Sequence, residues 1–81
     1  MDKAEATRIV RDIIAEVCDD EDVLEDPDMD LFDEGFLDSM AAIELLVDLE
    51  DRLGVSIDPT ELDRAEMNTV NLIVARTLER L

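Results

Sequence analysis

The 81-residue sequence has no histidine, tryptophan or tyrosine, one cysteine, two glycines and two prolines. Each scarcity excludes something. Without histidine, and with Cys18 as the only soft ligand, the chain cannot assemble a zinc or iron–sulfur centre. A single cysteine builds no internal disulfide framework. A catalytic site needs a base, a nucleophile and a pocket, yet there is no histidine base and no glycine-rich phosphate loop, so the reading is a non-enzyme. Bases are also scarce: seven against 24 acids, a formal charge of −17. That balance repels phosphate backbones and anionic headgroups, which argues against nucleic acid or membrane insertion. It favours rapid, salt-sensitive docking on basic patches of partner proteins. No apolar run approaches membrane-spanning length and the charged N-terminus is unlike a signal peptide, so a cytoplasmic location is expected.

What is present points to helices. Hydrophobic residues make up 47% of the chain, but only Phe32 and Phe36 are aromatic, so the core must be aliphatic. The length allows one domain over residues 1–81, a monomer by expectation. Ile9, Val10, Ile13, Ile14 and Val17 recur at helical spacing and predict an amphipathic helix over 3–18. Arg8–Asp12 is a possible i,i+4 pair. Cys18 falls on the apolar side, where a small buried thiol is the simpler reading, and the acids of 19–22 oppose a thiolate.

Residues 19–33 form a long acidic loop in which Pro27 opposes helix and Val23, Leu24, Met29, Leu31 and Phe32 are the expected anchors. A calcium loop is the functional alternative for its aspartates. Asp28 and Asp30 fit the first two ligand positions, but Phe32 occupies the third and the required glycine is missing. After Gly35, a second helix is expected from Asp38 or Ser39 to about Leu53, stopped by Gly54. It carries two apolar stripes. Ala42, Leu45, Leu46, Leu49 and Leu53 suit a core, while Met40, Ile43 and Val47 lie offset among Glu44, Asp48 and Asp51. One stripe is enough to pack a helix in a small bundle, so the second reads as a partner surface. Asp48–Arg52 has the orientation of a good i,i+4 pair. An extended stretch then leads through Asp58-Pro59 to a short helical turn through Thr60, Glu61, Leu62 and Asp63. Asn68-Thr69 caps a last helix whose apolar face is Val70, Ile73, Val74 and Leu78, continued by Leu81.

Ser39 sits where unpaired backbone N–H groups and the helix dipole favour an anion. It is either an ordinary N-cap or the attachment point of a phosphate-bearing group. The order of acidic loop, glycine, Asp38-Ser39, acidic-faced helix, short helix and last helix resembles the acyl carrier protein family over essentially the whole chain. The resemblance implies an all-α, small four-helix bundle with a long acidic loop between helices 1 and 2 and a short third helix. It implies a 4′-phosphopantetheine arm placed on Ser39 by a phosphopantetheinyl transferase, with the cargo held on it as a thioester. An adenylating ligase and an acyltransferase or synthase are the implied partners. Met40, Ile43, Glu44, Val47 and Asp51 would face them, with Asp48 on the same acidic border and Asp38 serving capping or recognition. The two residues between Gly35 and Asp38-Ser39, with Glu16-Val17-Cys18 and the 61–69 stretch, are similar to D-alanyl carrier proteins. Met67, Leu62 and Val70 depart from that group, which usually has tryptophan, phenylalanine and proline there. D-alanine transfer to teichoic acid and polyketide or nonribosomal biosynthesis both stay open. The reading from another class is an unmodified acidic adaptor that binds a basic partner.

Overall fold

A computed structural model describes residues 1–61 and 63–81. Three α-helices and two 3₁₀ turns follow one another among these residues, with no strand. Helix α1 is Lys3–Cys18, α2 is Ser39–Leu53 and α3 is Val70–Leu78; the 3₁₀ turns are Glu21–Glu25 and Arg64–Glu66. The expected all-α class holds, with three α-helices among the described residues where a four-helix bundle was expected. The place of the short third helix is taken by the 3₁₀ turn Arg64–Glu66. Upstream, the Asp58 carboxylate accepts bonds from the Thr60 backbone N–H at 2.9 Å and the Thr60 hydroxyl at 2.8 Å, and Asp58 O accepts Glu61 N–H at 2.9 Å. A carboxylate on the N–H two residues on, followed by proline, is the geometry that starts a helical turn. The turn expected through 60–63 includes Leu62, which lies outside the described residues.

The helix ends follow local chemistry. The Asp2 carboxylate accepts the Glu5 N–H at 2.8 Å to start α1, Thr69 caps α3 through the Leu72 N–H, and Gly54 (φ +69°) closes α2 by donating to Glu50 O. Helix α1 ends instead on Asp19, a non-glycine residue at φ 55°. Left-handed backbone strains a residue with a Cβ by about 1–2 kcal/mol, less for aspartate. Asp19→Gly is therefore expected to raise stability by about 0.5–1 kcal/mol, after the entropy glycine adds to the unfolded chain. Urea denaturation of the two proteins checks this; an unchanged or lower midpoint would refute it.

Helix α1 is the centre of the packing, lying against both α2 and α3. Its Val10, Ile13 and Ile14 meet Leu45 and Leu49 of α2 and Val70 and Ile73 of α3 in one aliphatic core. Val55 and Ile57 of the extended stretch are buried with them. Of the expected loop anchors, Val23 and Leu31 are fully buried while Leu24, Met29 and Phe32 pack against the core's edge. Within the core-facing stripe of α2, Leu45 and Leu49 are buried and Ala42, Leu46 and Leu53 half-buried. Leu81 does not continue the face of α3, because the helix ends at Leu78 and Leu81 is exposed.

Two expected ion pairs come out differently. Arg8–Asp12 forms at a loose 3.9 Å on the surface, where such pairs contribute little. Arg52 pairs with Glu16 of α1 at 2.6 Å rather than with Asp48, so it ties α1 to α2.

Candidate functional site

The loop before α2 is built to place the start of that helix. Asp30 Oδ1 accepts the N–H groups of Phe32 and Asp33, both at 3.0 Å, and so turns the chain. Leu31 O then accepts Phe36 N–H at 2.9 Å and Leu37 N–H at 3.0 Å, with Gly35 at φ +82° between them. Leu37 is buried as the last anchor before the helix. The loop is also fastened to the start of α3. Leu31 N–H donates to Asn68 O at 2.7 Å, Asn71 N–H to Pro27 O at 3.0 Å, Asn68 Nδ2 to Asp30 Oδ2 at 2.8 Å and Asn71 Nδ2 to Asp28 Oδ1 at 2.9 Å. Asp28 and Asp30, the two aspartates that fit calcium-loop positions, are thus joined to asparagines.

Asp30's carboxyl is held below the ordinary carboxylate range, chiefly by the Asp33 N–H, with Asn68, Phe32 and the Arg64 charge adding to it. A depressed folded-state value stabilises the fold fully above the unfolded value of about 3.9 and loses that stabilisation as pH falls through the folded one. Asp30→Asn is therefore expected to lose less of its urea midpoint than the parent between about pH 5 and about pH 3. Equal losses in the two proteins would show that Asp30 does not contribute to the acid limb.

Helix α2 starts from Asp38, whose carboxylate accepts Ala41 N–H at 2.8 Å. Ser39 is consequently the first helical residue and not the cap. It is exposed and its hydroxyl makes no hydrogen bond among the described residues, while the Ser39 and Met40 amides take no acceptor from them either. The plain N-cap reading of Ser39 is thereby corrected, since Asp38 performs that task. An exposed, unengaged hydroxyl at the positive end of a helix, beside open amides, suits a phosphoester oxygen. Cys18 is the chain's one thiol, and burial, with help from the Asp20 charge, pushes it up to about 11.

Ser39 also borders a cleft of about 270 Å³. Leu37, Ala42, Ile43, Leu45 and Leu46 form one wall, and Ile57, Asp58, Pro59, Asp63, Arg64 and Met67 the other, with Phe32 between. The Arg64 guanidinium lies 4.3 Å from the Phe32 ring centroid, an attraction of about 0.5–1 kcal/mol at an exposed site. Sequence reasoning singled out neither Arg64 nor this cleft. Its walls come from segments far apart in the chain, and no local spacing announces them.

The offset stripe of α2 is where it was expected. Met40 is 82% exposed, Ile43 54% and Val47 51%. Glu44 and Asp51 are exposed beside them and Asp48 is half-buried. The seven named residues therefore share one end and one outer face of α2, with Asp38 additionally spent on the cap. No helix among the described residues is long and apolar enough to cross a membrane.

The phosphopantetheine attachment site family matches residues 8–77. The D-alanyl carrier protein of Bacillus velezensis is 49% identical over 70 residues, covering 86% of this chain and 90% of that protein. The D-alanyl carrier protein of Lactococcus lactis subsp. lactis is 51% identical over 69 residues, covering 85% and 87%. That of Bacillus subtilis is 46% identical over 70 residues, covering 86% and 90%. The family match runs from within α1, through the loop that places Ser39 and all of α2, to within α3, and the prosthetic group of the matched family is 4′-phosphopantetheine. The chain belongs to the phosphopantetheine-binding carrier proteins, and is a carrier and not a catalyst.

Proposed function

We propose that Ser39 Oγ is the attachment point of 4′-phosphopantetheine and that residues 1–81 act as one aminoacyl carrier domain whose cargo is D-alanine. The observation that carries the assignment is the division of labour at the start of α2: Asp38 caps the helix through Ala41 N–H, leaving the Ser39 hydroxyl exposed and unengaged. Once attached, the group supplies a flexible arm ending in a thiol on which the cargo rides as a thioester. The chain's own contribution is positional. Helix α2 holds the attachment oxygen at its positive end, and its core stripe locks that end onto α1 through Leu45 and Leu49.

The identity to D-alanyl carrier proteins supports D-alanine as the cargo. In this reading the partners are a phosphopantetheinyl transferase, an adenylating ligase and an acyltransferase in the cytoplasm. They dock on Met40, Ile43 and Val47, with Glu44, Asp48 and Asp51 meeting their basic side chains. The chain's Met67 and Val70 favour keeping a second destination, an aminoacyl carrier of polyketide or nonribosomal biosynthesis. Intact mass after incubation with coenzyme A, magnesium and a broad-specificity transferase tests the first step. One phosphopantetheine adduct is expected, followed by a D-alanyl increment when ATP, D-alanine and a D-alanine-activating ligase are added. No adduct on folded protein sinks the carrier assignment, whereas an adduct that refuses D-alanine turns the reading to the second destination.

A further inference from the structure

Arg64 is conspicuous among the seven basic residues of the chain. Arg8, Arg52, Arg76 and Arg80 are in ion pairs, and Arg11 donates to Leu24 O at 3.1 Å. Among the described residues neither Lys3 nor Arg64 forms an ion pair or a side-chain hydrogen bond, despite a net charge of −17, and of the two Arg64 lines the cleft beside Ser39. The Arg64 charge acts on the nearby Asp30 carboxylate without forming an ion pair with it. Asp58 accepts from Thr60, and Asp30 from Phe32, Asp33 and Asn68. Arg64 is nevertheless held in place, stacked on the Phe32 ring at 4.3 Å. It is the one base lining the cleft that Ser39 also lines. A planar guanidinium fixed by stacking, with its N–H donors free, matches the geometry of a phosphate acceptor.

Resting on the assignment of the arm to Ser39, we infer that Arg64 is a positioning residue that binds the phosphodiester carried by Ser39 and lays the arm along the cleft that α2 forms with residues 57–59 and 63–67. Two features favour this anion over any other. It is tethered at the rim of the same cleft, so its effective concentration there is high. It also offers charge complementarity in a place where the remaining charged lining residues, Asp58 and Asp63, repel an anion. Phe32 orients the guanidinium, and the open amides of Ser39 and Met40 approach the phosphate from the helix side. The arm then has a preferred direction before any partner enzyme arrives.

The test follows the Arg64 Nε–Hε resonance in ¹⁵N-labelled protein before and after complete conversion by the transferase, with completeness read by intact mass. Arg64 is expected to shift on conversion while Arg8 and Arg11, which do not line the cleft, stay in place. In parallel, ¹⁵N relaxation of the two amides of a labelled arm is compared between the parent, Arg64→Gln and Arg64→Lys, each confirmed folded by circular dichroism. The arm amides are expected to be more mobile in Arg64→Gln than in the parent and partly restrained again in Arg64→Lys. Full conversion with an unmoved Arg64 resonance, or the same arm mobility in Arg64→Gln as in the parent, overturns the inference and leaves the attachment at Ser39 standing. Failure of the parent to take the adduct overturns both.

Discussion

Ser39→Ala is expected to abolish the phosphopantetheine adduct completely while changing stability by no more than about 0.5 kcal/mol. The two halves of that result have separate causes. Removing Oγ removes the exposed, unengaged hydroxyl that the helix start presents. The fold barely responds, because the hydroxyl makes no hydrogen bond among the described residues and alanine is the better helix former. The neighbouring position behaves in the opposite way. Asp38→Ala deletes the bond from Ala41 N–H to Asp38 Oδ1 and is expected to cost about 0.5–2 kcal/mol. Its nucleophile is intact, so the adduct should still form. Intact mass and urea denaturation on both variants read the two effects separately. An adduct on the Ser39→Ala protein would overturn the assignment, and a large loss of stability there would return the cap to Ser39.

Leu49→Ala and Val47→Ala should differ as sharply, though they lie two residues apart on α2. Leu49 is 0% exposed and sits in the cluster joining all three helices. Truncating such a leucine costs about 2–5 kcal/mol through lost burial and the cavity left behind. A domain of this size has a total of only about 4–12 kcal/mol to lose, so Leu49→Ala should be partly unfolded near body temperature. Val47 is 51% exposed, and its truncation should cost no more than about 0.5 kcal/mol. Its effect is expected instead in partner engagement, as a slower rate of adduct formation at limiting transferase. Thermal unfolding with a matched kinetic assay checks both. Equal destabilisation would mean that Val47 belongs to the core, and an unchanged rate would remove it from the docking face.

Residue patterns account for much of what the fold and site turned out to be. The spacing of Ile9, Val10, Ile13 and Ile14 and the stop before the acidic run bound α1 to Lys3–Cys18. Asp38 and Gly54 punctuate α2 at the expected residues, and Thr69 starts α3. The second stripe was legible for the same reason. A helix turns by a constant angle per residue, so which residues share a face is a property of their spacing alone. Local rules also locate Ser39 at the helix start, although they do not separate the cap from the residue after it. That choice depends on which carboxylate or hydroxyl meets Ala41 N–H, and the backbone at Asp38, extended rather than helical, decides it.

Contacts between residues distant in the chain escaped the same reasoning. Arg52 had a partner at the right local spacing in Asp48, but α1 presents Glu16 to it across the helix interface. Asn68 and Asn71 reach back 38 and 43 residues to Asp30 and Asp28, and Arg64 meets Phe32 through the same fastening of the loop to α3. The short helical turn expected through 60–63 includes Leu62, outside the described residues, and the 3₁₀ turn that is described in this part of the chain is Arg64–Glu66. Helix limits, the acidic surface and the candidate serine thus followed from the sequence by itself, since propensity, capping and periodicity act within a few residues. The cleft and the stacked Arg64 were decided by tertiary structure. They depend on where α1, the loop and residues 57–59 and 63–67 come to rest against α2, and only packing of the chain determines that.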